Sequence, residues 1–271
     1  LKKTVRWVVG IVLGVYIGTI VLLNIPNIQQ AMSVFVAEEL SEVLNTKVVI
    51  GRINMGLLNR IIIDDVLLDD QSGQEMLKVT RLSAKFDIMP FFKGKISISS
   101  VQLFGFNINL RKETPDSPPN FKFVLDAFAS KDTVKKENSL DLRINSILIR
   151  RGRMSYHVLS EEETPGKFNA KHIQLQNIIA NISLKALSKD SLNLGIKRLS
   201  LDEKASGFSL KKMSLKLVAN NKQTNIDNFT IELPETSLKL DTIHLEYDSL
   251  KAFDRFTEQV HFSFRTLPSQ V

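Results

Sequence analysis

One spacing of apolar residues recurs along this chain and constrains its fold more than any other feature. Each copy has apolar residues at offsets 0, 2, 5 and 7, with a polar or small pair between its halves. Full copies begin at Val48, Ile61, Leu77, Ile96, Leu142, Ile173, Leu194, Phe208 and Leu238, and a weaker copy begins at Thr224. The central pairs of the full copies are Gly51-Arg52, Asp64-Asp65, Thr80-Arg81, Ser99-Ser100, Asn145-Ser146, Gln176-Asn177, Lys197-Arg198, Lys211-Lys212 and Asp241-Thr242.

This spacing excludes an amphipathic helix, because at about 100° per residue the four apolar positions fall on two opposite faces. A regular strand fails as well, because the middle step is three residues. A strand with a β-bulge at the central pair keeps all four side chains on one face. Repeated bulges bend and twist strands and so curl a sheet. An ordinary β-sandwich with phase slips is the alternative.

The strands between Val48 and Leu110 follow one another closely, with short turns between them. Such spacing predicts an antiparallel meander, since parallel crossovers need a dozen or so more residues. The predicted fold class is therefore mainly β: an N-terminal transmembrane helix, a short amphipathic helix, and then a curled antiparallel sheet built of bulged strands.

The N-terminus carries a membrane-anchor pattern. Lys2, Lys3 and Arg6 precede the uncharged run Trp7 to Leu23, which at about 1.5 Å per residue can cross a hydrocarbon core of about 30 Å with modest stretching. The run exceeds a signal-peptide core of about 7–15 residues, and no A-x-A-like cleavage site follows it. We predict an uncleaved anchor over residues 1–25, with the basic N-terminus cytoplasmic and the β domain periplasmic.

Three glycines form a stripe within this run, since Gly10, Gly14 and Gly18 are four residues apart. A smooth stripe lets a second transmembrane helix approach closely. Glycine is also frequent in membrane helices without such a role. The stripe leaves both interpretations open.

Residues 26–46 form an amphipathic pattern, with apolar residues at spacings of three and four. The stripe either covers one end of the β structure or lies on the membrane interface. Interfacial helices favour Lys and Arg on the polar face, whereas this one carries Glu38, Glu39 and Glu42. We therefore predict a capping helix that ends near Asn45. The β domain then covers 47–271, with a short helix over 120–129 and a mobile linker at about 130–139.

Catalytic and metal-binding motifs are absent from the sequence. There is no cysteine, and none of the four histidines has helical ligand spacing to another. The densest carboxylates, Asp64-Asp65 and Asp69-Asp70, fit a bulge pair and a turn. The formal net charge of +7 includes no basic block interleaved with aromatic residues, so a nucleic-acid partner is not expected. We predict no enzyme activity, cofactor or metal.

Several runs resemble a known family. They are the anchor and amphipathic helix followed by LNTKVVIGRINMGLLNRIIIDDVLLDDQSGQEMLKVTRLSAKFDIMPFFKGKISISSVQLFGFNINL, then SGFSLKKMSLKL and NFTIELPETSLKLDTIHLEY. Together they resemble the N-terminal part of the TamB family, the inner-membrane component of the translocation and assembly module within the AsmA-like group. The Asn, Lys and Ile usage is similar to that of its Bacteroidota branch.

The resemblance implies a long sheet curled into a gutter (a β-groove, or taco) with an apolar lining, reaching from the inner membrane across the periplasm. It also implies phospholipid transport toward the outer membrane and help in outer-membrane protein assembly with an Omp85-type barrel, with no catalytic residues. The chain is shorter than a full family member, and we expect it to be a fragment whose sheet continues past Val271. Contact with the barrel would then use regions beyond it.

The candidate lipid-binding groove follows from the one-sided apolar strands and the scarcity of helices to cover them. Acyl chains suit such a face because their burial needs no directional bonds. A periplasmic scaffold with a closed sandwich core and no lipid transport is the alternative. The groove residues are Ile61, Ile63, Val66, Leu68, Val79, Leu82, Phe86, Ile98, Val101, Leu103, Phe106 and Ile108.

Overall fold

A computed structural model describes residues 2–56, 59–87, 96–129, 140–141, 145–188 and 191–269. The helices in these ranges are α1 (Lys2–Leu23), α2 (Pro26–Leu44), α3 (Lys122–Ala129), a 3₁₀-helix (Leu250–Arg255) and α4 (Phe256–Gln259). The strands are β1 (Val48–Gly56), β2 (Arg60–Asp69), β3 (Glu75–Phe86), β4 (Ile96–Lys112), β5 (Leu140–Asp141), β6 (Ser146–Val158), β7 (His172–Ser188), β8 (Ser191–Glu203), β9 (Ser209–Asn220), β10 (Gln223–Glu232), β11 (Ser237–Tyr247) and β12 (Val260–Thr266). The mainly β class is confirmed, while the linker predicted at 130–139 lies outside the described residues.

The sheet is mixed, so the prediction of a purely antiparallel sheet is wrong. Hydrogen-bonded neighbours follow the order β1-β2-β3-β4-β6-β7-β8-β9-β10-β11-β12, with β5 beside β4. The pairs β1–β2 and β2–β3 and all pairs from β6 to β12 are antiparallel. Strand β4 instead runs parallel to both β5 and β6. The connection from β4 to β6 contains α3, which gives the chain the length that a parallel crossover needs.

Contacts divide the chain into two compact units. Unit 1 comprises residues 1–99 and 118–143, and unit 2 comprises residues 100–117 and 144–271. Unit 1 therefore contains α1, α2, α3, β1 to β3 and the start of β4. Unit 2 contains the rest of β4 and strands β6 to β12.

In unit 1 the central pairs of neighbouring strands lie side by side. Asp65 has a positive φ of 55°, and the register of β2 is the same on both sides of it, toward β1 and toward β3. The central pairs of the three strands are therefore aligned, and the apolar positions of one strand face those of the next. Both halves of β1 and of β2 contribute to one packed core, so the shared apolar face is confirmed for these two strands. Only Asp65 has the backbone of a bulge residue, and the register is continuous at Gly51-Arg52 and Thr80-Arg81, so the bulges predicted at these two pairs are wrong.

In unit 2 the bends are β-bulges that shift the register. Shifts occur at Gln176-Asn177, Lys197-Arg198, Lys211-Lys212 and Asp241. Asn177 and Asn228 also have positive φ, of 55° and 52°. A left-handed backbone is a common bulge conformation, and Asn tolerates it better than most residues. These predicted bulges are confirmed.

The bends of β4 and β6 lie five or six residues beyond the predicted pairs. Neither Ser99-Ser100 nor Asn145-Ser146 has a positive φ, whereas Gly105 and Arg151 have φ of 64° and 55°. The parallel register stays continuous from Ser100 opposite Ser146 to the ends of both strands. The two bends therefore lie beside each other.

Helices α2 and α3 cover the apolar face of β1 and β2. Helix α2 has Pro26 at its start and ends at Asn45, whose left-handed φ of 49° lets backbone N–H groups reach Glu42 and Ser41. The core of unit 1 consists of Leu44, Val48, Ile50, Ile53, Leu68 and Met76, against which Met32, Val36, Ala37, Leu40, Phe121, Phe123, Val124 and Ala127 pack.

Among the described residues, no single helix is long and apolar enough to cross a membrane. Gly10–Leu23 and α2 pass the test of length and composition only together, as a pair bent by 71°. The transmembrane helix predicted over residues 1–25 therefore stays a prediction.

Candidate functional site

Three rows of apolar side chains run across the strands of unit 2. Directly paired residues lie on the same face of a sheet, so the register shows which side chains share a face. The rows are Val101, Ile147, Ile182, Ile196 and Leu215; then Leu103, Ile149, Ala180, Leu199, Met213, Ile231 and Leu238; and then Leu184, Leu194, Leu217, Ile226, Ile243 and Phe264. Ala180, Ile182 and Leu184 alternate along β7, so all three rows lie on one face. We call it the apolar face of unit 2.

The apolar face of unit 2 is half-buried. Ala180 is its single buried member, while Phe264 is 57% exposed and Leu238 is 39% exposed. The other side chains of the rows are intermediate. A packed second layer would bury such side chains almost completely, as in a sandwich core. In the described part of unit 2 they are instead shielded mainly by their neighbours in the sheet.

The candidate groove residues divide into covered and half-buried groups. Leu68 belongs to the packed core of unit 1 beneath α2 and α3, and the partly buried Ile61 and Ile63 pack against this core. Val79 is 3% exposed. Phe106 is also buried. The half-buried residues of the set that lie outside that core are Val66, Leu82, Phe86, Ile98, Val101, Leu103 and Ile108.

Phe106 covers Gly152 at the paired bends of β4 and β6. The two residues are register partners, and a methyl group on Gly152 would lie 2.3 Å from Cζ of the ring and 3.0 Å from Cβ of Ile178. The ring can lie flat on the neighbouring strand only because Gly152 has no side chain. Beside them, the Arg151 guanidinium lies 5.1 Å from the centroid of the Phe104 ring, a cation–π contact.

A chain of polar side chains connects the end of α1 to the first three strands. Gln29 donates to Asn24 at 3.0 Å and to Asn54 at 2.6 Å. Asn54 in turn donates to Asp64 at 3.2 Å, and Arg81 donates to the same carboxylate at 2.6 Å. These bonds fix the junction of α1 and α2 on β1 and β2.

Two buried carboxylates stabilise turns. Asp70 is 2% exposed and accepts from Ser72, the Gln74 backbone and Asn120. Burial raises the pKa of Asp70, but these hydrogen bonds outweigh burial and leave the pKa below its ordinary value. Asp69-Asp70 is thus a turn and Asp64-Asp65 a strand bend, as predicted from their spacing.

Glu203 is the second buried carboxylate that stabilises a turn. It is 3% exposed and accepts hydrogen bonds from the backbone N–H groups of Gln174, Ala205 and Ser206, at 3.1, 3.2 and 2.7 Å. The Ser206 hydroxyl adds a fourth bond of 2.5 Å. Burial raises its pKa, but the four donors outweigh burial and lower the pKa to about 2.

The glycine stripe of α1 lies on an exposed helix. A Cβ added at Gly10, Gly14 or Gly18 would have no atom within 4 Å outside the helix backbone. Large apolar side chains of the same helix are exposed as well: Trp7, Ile11, Val12, Leu13, Val15, Ile17, Val21 and Leu22.

The fold brings two of the four histidines together. His157 and His172 are directly opposite in β6 and β7. His244 lies apart from them, beside Asn225 and Glu246. Ligand spacing along a helix is not informative here, because a hairpin pairs residues that are equally distant from its turn.

No protein-family model matches the sequence, and no curated protein matches it.

Proposed function

We propose that this chain is a membrane-anchored periplasmic protein whose apolar face holds lipid acyl chains and carries phospholipid from the inner membrane toward the outer membrane. The observation that supports it is the set of three half-buried apolar rows in unit 2. Burial of acyl chains contributes about 0.8 kcal/mol per methylene and needs no directional bonds. Similar side chains in adjacent rows offer many near-equal positions, so a chain can slide. Bulges in successive strands favour a sheet curled into a groove around such a ligand.

In this proposal α1 is the membrane anchor. Its basic residues lie at the N-terminus, and its large apolar side chains are exposed. A hydrocarbon environment would cover them, with residues 1–6 cytoplasmic and the β domain periplasmic. The glycine stripe would then accept a second transmembrane helix. The family resemblance suggests an Omp85-type barrel as the outer-membrane partner.

The lipid-binding proposal is tested with a photo-crosslinking amino acid at adjacent positions of β9. Leu217 is in the third apolar row, whereas Val218 is 45% exposed on the opposite face. We expect capture of phospholipid in cells from position 217, with position 218 as the matched control. The same pattern is expected from Val101 and Leu103. Equal capture from both faces, or none from the apolar face, would contradict the proposal.

Charged substitutions separate an open face from a packed core. Leu217→Asp and Val101→Asp should reduce lipid capture roughly tenfold, which corresponds to about 1.4 kcal/mol. Their thermal unfolding should stay close to that of the wild type, because the charge can reach water. If these variants unfold and no lipid is captured, the face is a closed core, and the scaffold function replaces lipid transport.

The orientation of the anchor has a separate test. Alkaline phosphatase fused after Asn45 should be active, because the enzyme folds only after export and the charge asymmetry predicts a periplasmic location for this position. A fusion within residues 1–6 serves as the inactive control. An inactive Asn45 fusion at normal expression would show that the orientation is wrong.

A further inference from the structure

The ends of β6 and β7 hold a cluster of metal-ligand groups outside the apolar face. The Nδ1 atoms of His157 and His172 are 3.0 Å apart. A carboxylate oxygen of Glu163, from the connection between the two strands, lies 3.8 Å from the first and 4.0 Å from the second. The His172 side chain is 8% exposed, that of His157 24%, and that of Glu163 62%. Two ligand atoms are therefore on strand residues of the sheet, and the third is on an exposed side chain of the connection.

The backbone sets the tautomer of His172. Its Nε2 lies 2.9 Å from the carbonyl oxygen of Glu161. A carbonyl can only accept, so Nε2 carries the proton and, in the neutral ring, Nδ1 keeps its lone pair. A histidine that donates one ring N–H to a backbone carbonyl and presents the other nitrogen is the usual arrangement of a metal ligand.

We propose that His157, His172 and Glu163 bind one divalent transition-metal ion, with Zn²⁺ as the best match. Zinc binds imidazole nitrogen and carboxylate oxygen at about 2.0–2.2 Å, and ligand atoms on one tetrahedral ion are therefore about 3.3 Å apart. The two nitrogens are near this separation already, and the Glu163 carboxylate has to approach them by less than about 1 Å. Water completes the four ligands. The lack of thiolates and the two imidazoles favour zinc, copper or nickel over calcium or magnesium.

The charges around the cluster permit a cation. Glu161 and Glu162 precede Glu163 in the connection, and the Glu161 carboxylate is paired with Lys171 at 2.7 Å. Arg111 of β4 is at the register position beside His157. The Glu163 ligand contributes one negative charge to the ion and Glu162 is a further carboxylate nearby, whereas Lys171 balances the charge of Glu161 and Arg111 adds a positive charge.

The ion would fasten the long β6–β7 connection onto the strand ends. This connection already forms hydrogen bonds from Gly166 to Ala205 and from Asn169 to Glu162. A ligand from its first half, held to one histidine of each strand, closes it as a ring. Metal binding would then stabilise this end of unit 2, because it favours the folded state alone.

The test uses the full chain in detergent, without a histidine tag and after treatment with a chelator. We expect one Zn²⁺ per chain by titration calorimetry and by elemental analysis after gel filtration, together with a higher melting temperature. Co²⁺ should give the visible absorption bands of a four-coordinate site. His172→Gln keeps a donor for the Glu161 carbonyl but removes Nδ1, and it should abolish binding. Glu163→Gln should weaken binding at least tenfold.

Matched controls locate the site. Glu162→Gln changes a neighbouring exposed carboxylate, and His244→Ala removes a histidine that also contacts a glutamate. Both should bind zinc as the wild type does. The proposal is overturned if the wild type binds no zinc, or if Glu163→Gln and His157→Ala bind as tightly as the wild type. Glu163→Gln keeps the test valid even if His172→Gln fails to fold, because the Glu163 side chain is exposed.

Discussion

Gly152→Ala is expected to destabilise the protein by about 2–3 kcal/mol, although it adds a single methyl group. The added Cβ would lie 2.3 Å from the Phe106 ring and 3.0 Å from Ile178, so the ring must leave a buried position. Glycine to alanine in a strand is otherwise neutral or favourable. Urea denaturation of the full chain in detergent measures the change in unfolding free energy.

Two further variants make this result specific. Gly195→Ala also adds a methyl within a strand, but it meets only the Ser183 hydroxyl, at 2.7 Å, which can rotate away. Its effect should stay within about 0.5–1 kcal/mol. In a Phe106→Leu background, Gly152→Ala should cost less than in the wild type, since the contacting ring atoms are gone. Additive effects of the two substitutions would show that the ring is not the cause.

Acidification is expected to weaken unit 2 through Glu203. Its pKa is about 2 in the folded protein and 4.5 when unperturbed, so the unfolded state binds a proton more readily. The stabilisation is therefore complete above pH 4.5 and is lost as the pH falls toward 2. Glu203→Gln should cost about 2 kcal/mol at neutral pH, because charge-assisted bonds are replaced by weaker ones. Unfolding free energies between pH 7 and pH 3 measure both effects.

The pH dependence tests whether the charge of Glu203, rather than its side chain in general, stabilises the protein. The difference between the wild type and Glu203→Gln should shrink as the pH falls, since the wild-type carboxylate becomes protonated. Glu235→Gln, at an exposed turn, should leave the pH profile unchanged. A constant difference at all pH values would mean that the charge of Glu203 contributes nothing to stability.

The apolar spacing predicted the strands well and the exact bends less well. Where one copy fits a strand, as in β7 and β8, the bulge lies at the predicted pair. Strand β4 is long enough to hold two overlapping copies, and the spacing cannot decide between Ser99-Ser100 and Phe104-Gly105. In β6 a copy of the spacing with Arg151 in its central pair has Gly152 at the third apolar position. Because glycine is not an apolar side chain, this copy is not recognised in the sequence. The role of Gly152 depends on Phe106, which lies in another strand and is therefore not part of any local sequence pattern.

The candidate site was predictable only as a list of apolar positions. The sequence predicted α2 as a capping helix but did not show which strand residues it covers, nor that α3 packs on the same core, so the contact of Ile61 and Ile63 with this core was not predicted. Parallel pairing of β4 and β6 depends on the crossover through α3, which short-turn spacing does not reveal. His157 and His172 are far apart in sequence, and only the hairpin register brings them together.

The paired bends of β4 and β6 affect strand alignment in unit 2. The apolar face of this unit is only half-buried, and a sheet without a well-buried face specifies its register weakly. In the observed register the left-handed Gly105 lies opposite the left-handed Arg151. A slip of two residues would set each bend against a regular part of the other strand, so the two bends together select one alignment without needing a second layer over the apolar face.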